Sequence, residues 1–213
     1  MRILGSTEYI NEKLNIQPVT KEMLVGLKKH EYKFFPETKQ ELREMIYGRI
    51  DKDGNECNLN DIDTSAITDM SYMFSSLNKE FNGNISMWDV SNVVNMEGMF
   101  KDSEFNGDIY RWNVKSVKSM ESMFNNSKFN QDISKWDVSN VVTMSFMFEE
   151  SNFNQDISDW NVKSLENMFY MFHKTPFDQD LSRWNIPNTY KKGIPNMFVD
   201  CPLEDQKGKW PKI

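Results

Sequence analysis

Apolar side chains recur along most of the chain at a fixed period of 24 residues. One column of this pattern consists of phenylalanines, at Phe81, Phe105, Phe129, Phe153 and Phe177. A second column consists of tryptophans, at Trp88, Trp112, Trp136, Trp160 and Trp184. Three aliphatic columns accompany them, and each unit ends in a Met-x-x-Met-Phe motif. Such self-similarity indicates repeats that bury their apolar sides against their neighbours.

The spacing inside each unit predicts one short strand and one turn. The Ile-x-x-Trp-x-Val pattern resembles the core of leucine-rich repeats and places a strand near "SKWDV", residues 134–138. Met144, Met147 and Phe148 are spaced at i, i+3 and i+4, which gathers them on one face of a helical or 3₁₀ turn. We therefore predict an α/β repeat solenoid of five to six right-handed, leucine-rich-repeat-like coils, each with one strand and one such turn.

The N-terminal residues lack the repeat and are expected to form a helical cap. A short helix is predicted from about Thr20, followed by an extended "YKFF" and a second helix introduced by Pro36. Thr38 and Glu41 have the spacing of a capping box. The apolar stripe of the second helix comprises Leu42, Met45, Ile46 and Ile50. We expect a cap at 1–56, the solenoid at 57–198 and a C-terminal cap or tail at 199–213.

Asparagine and aspartate also form columns, at the corners between predicted elements. They are Asn82, Asn106, Asn130, Asn154 and Asp178, then Asn84, Asp108, Asp132, Asp156 and Asp180. A cation-binding or ligand-binding stripe is one interpretation, but side chains that accept backbone N–H groups at sharp corners are favoured. Similarly, the tryptophans could stack on a ligand but are favoured as core, which requires an acceptor for each indole N–H. "DKDGNE", residues 51–56, is favoured as an Asp-Gly turn over an EF-hand loop.

Composition excludes several classes of function. The net charge of −7 and a pI near 5.0 argue against binding to nucleic acid. No apolar run predicts a membrane span or a signal peptide, so a cytoplasmic location, or a virion or host cell, is expected. His30 and His173 belong to no catalytic or metal-binding constellation. We therefore expect no enzyme activity, catalytic residue, metal or cofactor.

The repeat motif resembles a known family. "FNGDIYRWNVKSVKSMESMF" and "FNQDISKWDVSNVVTMSFMF" are similar to the 25-residue bacterial surface protein repeat of the BspA-like leucine-rich-repeat surface proteins. The resemblance covers about residues 61–198. It implies a non-enzymatic interaction module of a kind found on bacterial surfaces and in phage and other viral genomes.

The outward positions beside each tryptophan differ from unit to unit, whereas the apolar columns do not. We therefore predict that this chain binds a partner protein through these residues: Met87, Asp89, Tyr110, Arg111, Asn113, Lys135, Asp137, Asp159, Asn161 and Arg183. The alternatives are a structural component that self-assembles in a virion or bacterial surface layer, and a phage-encoded inhibitor of a host protein. The partner's identity is left open by the sequence.

Overall fold

The computed structural model describes residues 31–75, 79–187 and 193–212. Helix α1 spans Lys39–Asp53, helix α2 spans Ile194–Met197, and a 3₁₀ helix spans Lys207–Lys209. Residues Tyr32–Ile213 form one compact unit, which holds α1 together with the repeats. The helix predicted from about Thr20 lies outside the described residues, and the division at 56/57 and 198/199 stays a prediction.

Equivalent backbone positions of successive units lie side by side and point in the same direction. Parallel single-residue bridges join Asp69 to Asn95, Asn95 to Ser119, Ser119 to Thr143 and Thr143 to Asn167. The first step is 26 residues long and the others are 24, as expected from the two extra residues before Phe81. Each unit therefore stacks on the preceding one in register.

Backbone hydrogen bonds between units are concentrated in the methionine segment. In the segments that begin at Met96, Met120 and Met144, every second N–H donates to a carbonyl 23 residues further along the chain. The bonds of the third of these segments are Met144 to Asn167 at 2.8 Å, Phe146 to Phe169 at 2.8 Å, Phe148 to Met171 at 3.0 Å and Glu150 to His173 at 2.8 Å. These bonds satisfy the buried backbone without an extended strand.

The predicted α/β solenoid with a strand in every coil is wrong. Within the described residues there are isolated bridges but no strand or sheet, and the only α-helices are α1 and α2. The "SKWDV" segment, residues 134–138, is a turn followed by irregular backbone. Asp132 Oδ1 accepts the N–H of Ser134 at 2.8 Å, and Asp137 Oδ1 accepts that of Ser139 at 3.1 Å. These Asx turns bend the chain on both sides of Trp136, where a strand would have to run straight.

The predicted helical or 3₁₀ turn is replaced by successive β-turns with left-handed residues. The N–H of Met147 donates to the carbonyl of Met144 at 3.1 Å, and Phe146 between them has φ 59°. Glu150 has φ 56° in the next turn. A left-handed residue cannot continue a right-handed helix. The same two positions are left-handed in other units: Tyr72, Gly98, Ser122 and Tyr170, then Asp102, Asn126 and Lys174.

The apolar columns form the core, as predicted. Phe124 and Phe148 stack with ring centroids 5.7 Å apart, and the Phe129 and Phe153 rings are 6.3 Å apart. Trp136 is 3% exposed, and every methionine of the Met-x-x-Met-Phe motif is buried. Full burial of one such side chain contributes about 2–3 kcal/mol. Identical side chains in successive units thus supply the core.

Both ends of the stack are covered. The capping box of Thr38 and Glu41 is present, and α1 buries Leu42 and Ile46 in the core. Of the turn predicted at residues 51–56, residues 51–53 belong to α1 instead, and the turn follows at residues 55–56, after Gly54 with φ 84°. At the C-terminal end Phe198 stacks on Phe172 at 5.9 Å, and Trp210 stacks on Phe198 at 5.3 Å.

Candidate interaction surface

The ten predicted binding residues all lie outside the core, beside the buried tryptophans. We call these ten residues the Trp-turn face. Asp89 and Tyr110 are half-buried, and the other eight are exposed. Whether these residues bind a partner stays a prediction.

The side chains of four residues of the Trp-turn face also stabilise the local backbone by accepting hydrogen bonds. Their Oδ1 atoms accept the N–H two residues further along the chain at 2.9–3.3 Å. The four are Asp89, Asn113, Asp137 and Asn161. Hydrogen bonds from Ser139, by its side chain and its backbone, lower the pKa of Asp137. These side chains set the shape of the face, and substituting them would disturb the turns.

Arg183 and Asp159 form an ion pair between neighbouring units. The Nη1···Oδ1 distance is 2.8 Å, and both side chains are about three-quarters exposed. An exposed pair of this kind contributes at most about 1 kcal/mol. Both residues therefore stay accessible to a partner.

Met87, Tyr110 and Arg111 form the least polar part of the face. The Met87 side chain is 52% exposed and lines a shallow depression together with Ser86, Asp108 and Arg111. The backbone beneath is fixed, because the Met87 N–H donates to Asn60 Oδ1 and the Tyr110 N–H donates to Asp108 Oδ1, each at 2.9 Å. Among the described residues, the side chains of Met87, Tyr110 and Arg111 make no hydrogen bond or ion pair.

The asparagine column forms a continuous ladder along the stack. Each Oδ1 accepts the backbone N–H of the equivalent residue in the next unit at 2.8–3.1 Å, from Asn82 through Asn106, Asn130 and Asn154 to Asp178. The second corner column accepts the N–H two residues further on. In the described ranges, no group of three or more His, Cys, Asp or Glu residues is placed to hold a metal ion. The hydrogen bonds that both corner columns accept give them a structural role.

Tryptophan, histidine and cysteine also have structural contacts. Each indole of the repeat donates to a carbonyl of the preceding unit, as the core interpretation requires. His173 Nδ1 lies 2.8 Å from Glu149 Oε1. Cys57 and Cys201 are free and buried, and burial raises the pKa of both thiols. No helix among the described residues combines the length and apolarity needed to span a bilayer.

A group of aromatic residues on the methionine segment was not predicted from the sequence. Phe169 is 40% exposed, and its ring centroid lies 4.3 Å from that of Tyr170 and 5.9 Å from that of Phe146. These residues occupy the x positions of Met-x-x-Met, where other units have Glu97, Gly98, Glu121 and Ser122. The available signal was the change from polar to aromatic at those two positions.

A family model with the description "Mycoplasma protein of unknown function, DUF285" matches residues 40–128 and, a second time, residues 117–210. The chain belongs to the DUF285 family. The two overlapping DUF285 matches cover α1 and all the repeats. No curated protein and no solved structure shows a match to the chain.

Proposed function

We propose that this DUF285 protein is a non-enzymatic protein-binding module. It contacts its partner with the Trp-turn face, and the contact is centred on Met87, Tyr110 and Arg111. The observation that carries the proposal is that these three side chains, of which Met87 and Arg111 are exposed and Tyr110 is half-buried, make no hydrogen bond or ion pair within the described part of the chain, on a backbone that hydrogen bonds hold in place. Because the backbone is already ordered, little conformational entropy is lost when a partner binds.

The chemistry of this group fits a protein partner. Methionine, tyrosine and arginine are enriched in interface cores, and a flexible thioether adapts to irregular apolar surfaces. The shallow depression beside Met87, which Ser86, Asp108 and Arg111 also line, can receive one side chain. The resemblance of the repeat motif to BspA-like surface proteins supports an interaction role on or outside a cell.

The test uses substitutions borrowed from the same column of other units. Met87→Lys introduces the residue found at position 135, Tyr110→Ser the residue at 134, and Arg111→Asp the residue at 159. The triple variant is therefore expected to fold like the natural chain. Affinity capture from host extract, with the natural chain and the variant in parallel, is followed by a binding titration of each captured protein.

We expect at least one captured protein to bind the natural chain directly and to lose about tenfold or more in affinity for the triple variant. Glu44→Ser on the exposed side of α1 is the matched control and should bind normally. Loss of binding with Glu44→Ser but not with the triple variant would contradict the proposal. Sedimentation velocity distinguishes the structural alternative, because self-assembly would show oligomers of the 25.2 kDa chain instead of a single small species.

A further inference from the structure

A partly exposed aromatic patch lies on the methionine segments of two neighbouring units. We define the aromatic patch as Phe146, Phe169 and Tyr170. Phe169 meets Phe146 and Tyr170 edge to face, at interplanar angles of 76° and 71°. The Phe146 and Tyr170 centroids are 6.0 Å apart. The face of an aromatic ring carries the negative side of its quadrupole, and the Phe169 side chain is 40% exposed, so a cation can reach the patch.

The fold does not require aromatic residues at these positions. Phe146 and Tyr170 have φ values of 59° and 53°, where a bulky residue costs about 1–2 kcal/mol relative to the usual backbone. The same position holds Tyr72, Gly98 and Ser122 in other units, and the units with glycine and serine stack through the same pattern of backbone hydrogen bonds. Strained bulky residues that the surrounding structure does not need are typical of functional sites.

Acidic side chains surround the aromatic patch. Five carboxylates belong to the same or adjacent turns: Glu121, Glu149, Glu150, Glu166 and Asp200. His173 links the patch to two of them, because its ring lies 4.9 Å from Tyr170, 2.8 Å from Glu149 and 3.4 Å from Asp200. The nearby Lys174 is paired with Glu150 at 2.8 Å. Carboxylates outnumber the cations among these residues, so the local charge is negative and complements a cationic ligand.

We propose that the aromatic patch is a second interaction surface, which binds a basic segment of a protein partner. Arginine or lysine side chains of that segment lie over the ring faces, and their charges are balanced by the surrounding carboxylates. A cation over an aromatic face contributes about 0.5–2 kcal/mol, depending on its exposure to solvent. This surface is built from methionine segments, so the inference does not depend on the Trp-turn face.

The test uses a synthetic hexapeptide of alternating arginine and leucine as the probe. Citrulline has nearly the shape of arginine without its charge, so a citrulline-leucine hexapeptide is the matched probe. Binding is followed by NMR chemical-shift titration at low and high salt. We expect the arginine peptide to shift the signals of the patch and to bind about tenfold more tightly than the citrulline peptide. Its affinity should fall as the salt concentration rises.

The protein variant combines Phe169→Ser and Tyr170→Ser, which introduce the residues found at positions 145 and 122. It should lose about tenfold in affinity for the arginine peptide. Phe146→Ser is a second variant and should weaken binding in the same direction. Tyr110→Ser on the Trp-turn face is the control and should bind like the natural chain, whatever its effect on the partner captured through that face. No binding of the arginine peptide, equal binding of the citrulline peptide, or equal loss in the control would each overturn the proposal.

Discussion

The indole Nε1 of Trp136 donates a hydrogen bond to the carbonyl oxygen of Ile109, at 3.1 Å, in the preceding unit. The same bond recurs at a spacing of 27 residues in three further pairs, at 3.0–3.2 Å: Trp112 to Ile85, Trp160 to Ile133 and Trp184 to Ile157. The tryptophan column therefore supplies apolar surface to the core and also a polar link between units. This link fixes how the Trp-turn face of one unit is placed against that of the next.

Removal of one such link should destabilise the protein. Trp136→Phe keeps an aromatic ring but removes one of the two hydrogen bonds to the carbonyl of Ile109, which still accepts the N–H of Trp112 at 3.1 Å. We therefore expect a loss of about 0.5–1.5 kcal/mol in the free energy of unfolding, in addition to the effect of the smaller ring. Urea denaturation measures the change. Trp210→Phe is the control, because Trp210 Nε1 donates to Leu203 at a half-buried site that water can reach. Equal losses in both variants would show that the link between units contributes little.

A separate prediction concerns the contribution of the asparagine ladder to stability. Asn130 Oδ1 accepts the N–H of Asn154 at 2.9 Å and the Nε2 of Gln155 at 3.1 Å. Asn130→Ala removes this one acceptor from both donors, so we expect a loss of about 1–2 kcal/mol in the free energy of unfolding. Asn130→Asp retains a carboxylate oxygen as acceptor and should lose less. If the alanine variant were as stable as the natural chain, the ladder would have no structural role.

Two glycine substitutions should have opposite effects on stability, because Gly98 lies in a left-handed turn and Gly48 lies in α1. Gly98 has φ 56°, and an added Cβ would lie 2.4 Å from Cε1 of Tyr72. Gly98→Ala should therefore destabilise the chain by about 1–3 kcal/mol and displace the Tyr72 hydroxyl from Glu97. Gly48 lies within α1 with open space around it, so Gly48→Ala should stabilise by about 0.5–1 kcal/mol. Thermal and urea unfolding of both variants check this, and a neutral Gly98→Ala would contradict the assigned turn.

The sequence was sufficient to predict the register and the core but not the backbone conformation. The columns of Phe129, Trp136 and Met144 are visible because a repeated stack must bury the same position in every unit. The conformation of the segments between them depends on local hydrogen bonds, such as those of Asp132 and Asp137, and on the left-handed φ of Phe146. An apolar pattern carries no information on such hydrogen bonds or on the sign of φ. The spacing was therefore interpreted as a strand and a helical turn.

The candidate surfaces, like the fold, were predicted only in part. Outward positions beside Trp88 and Trp112 follow from the alternation of buried and exposed residues, so Met87 and Arg111 could be placed on the surface. Phe169 and Tyr170 were not singled out, although the change from polar to aromatic residues is visible in the sequence, because a helical Met-x-x-Met turn gives no reason to place both x positions on one surface. Their exposure becomes evident only when the left-handed turn is known.

Acid should weaken the Asx turns. Hydrogen bonds from the backbone N–H and then the side chain of Ser158 lower the pKa of Asp156 below its usual value. Because the folded pKa lies below the unfolded value of about 3.9, the stabilising effect is present above that pH and is lost as the pH falls through the folded pKa. Asp156→Asn keeps the Oδ1 acceptor but cannot titrate. Urea unfolding between pH 6 and pH 3 should show a smaller acid loss for this variant, and an equal loss would contradict the assignment.

The account depends most on the backbone contacts between units, which hold both surfaces in place. NMR scalar couplings across hydrogen bonds identify the donor and the acceptor directly. We predict that the amide nitrogen of Met144 couples to the carbonyl carbon of Asn167, and that of Phe148 to Met171, both 23 residues further along the chain. Couplings from these amides to carbonyls three or four residues earlier, as in a helical methionine segment, would contradict the stacked arrangement and both proposed surfaces.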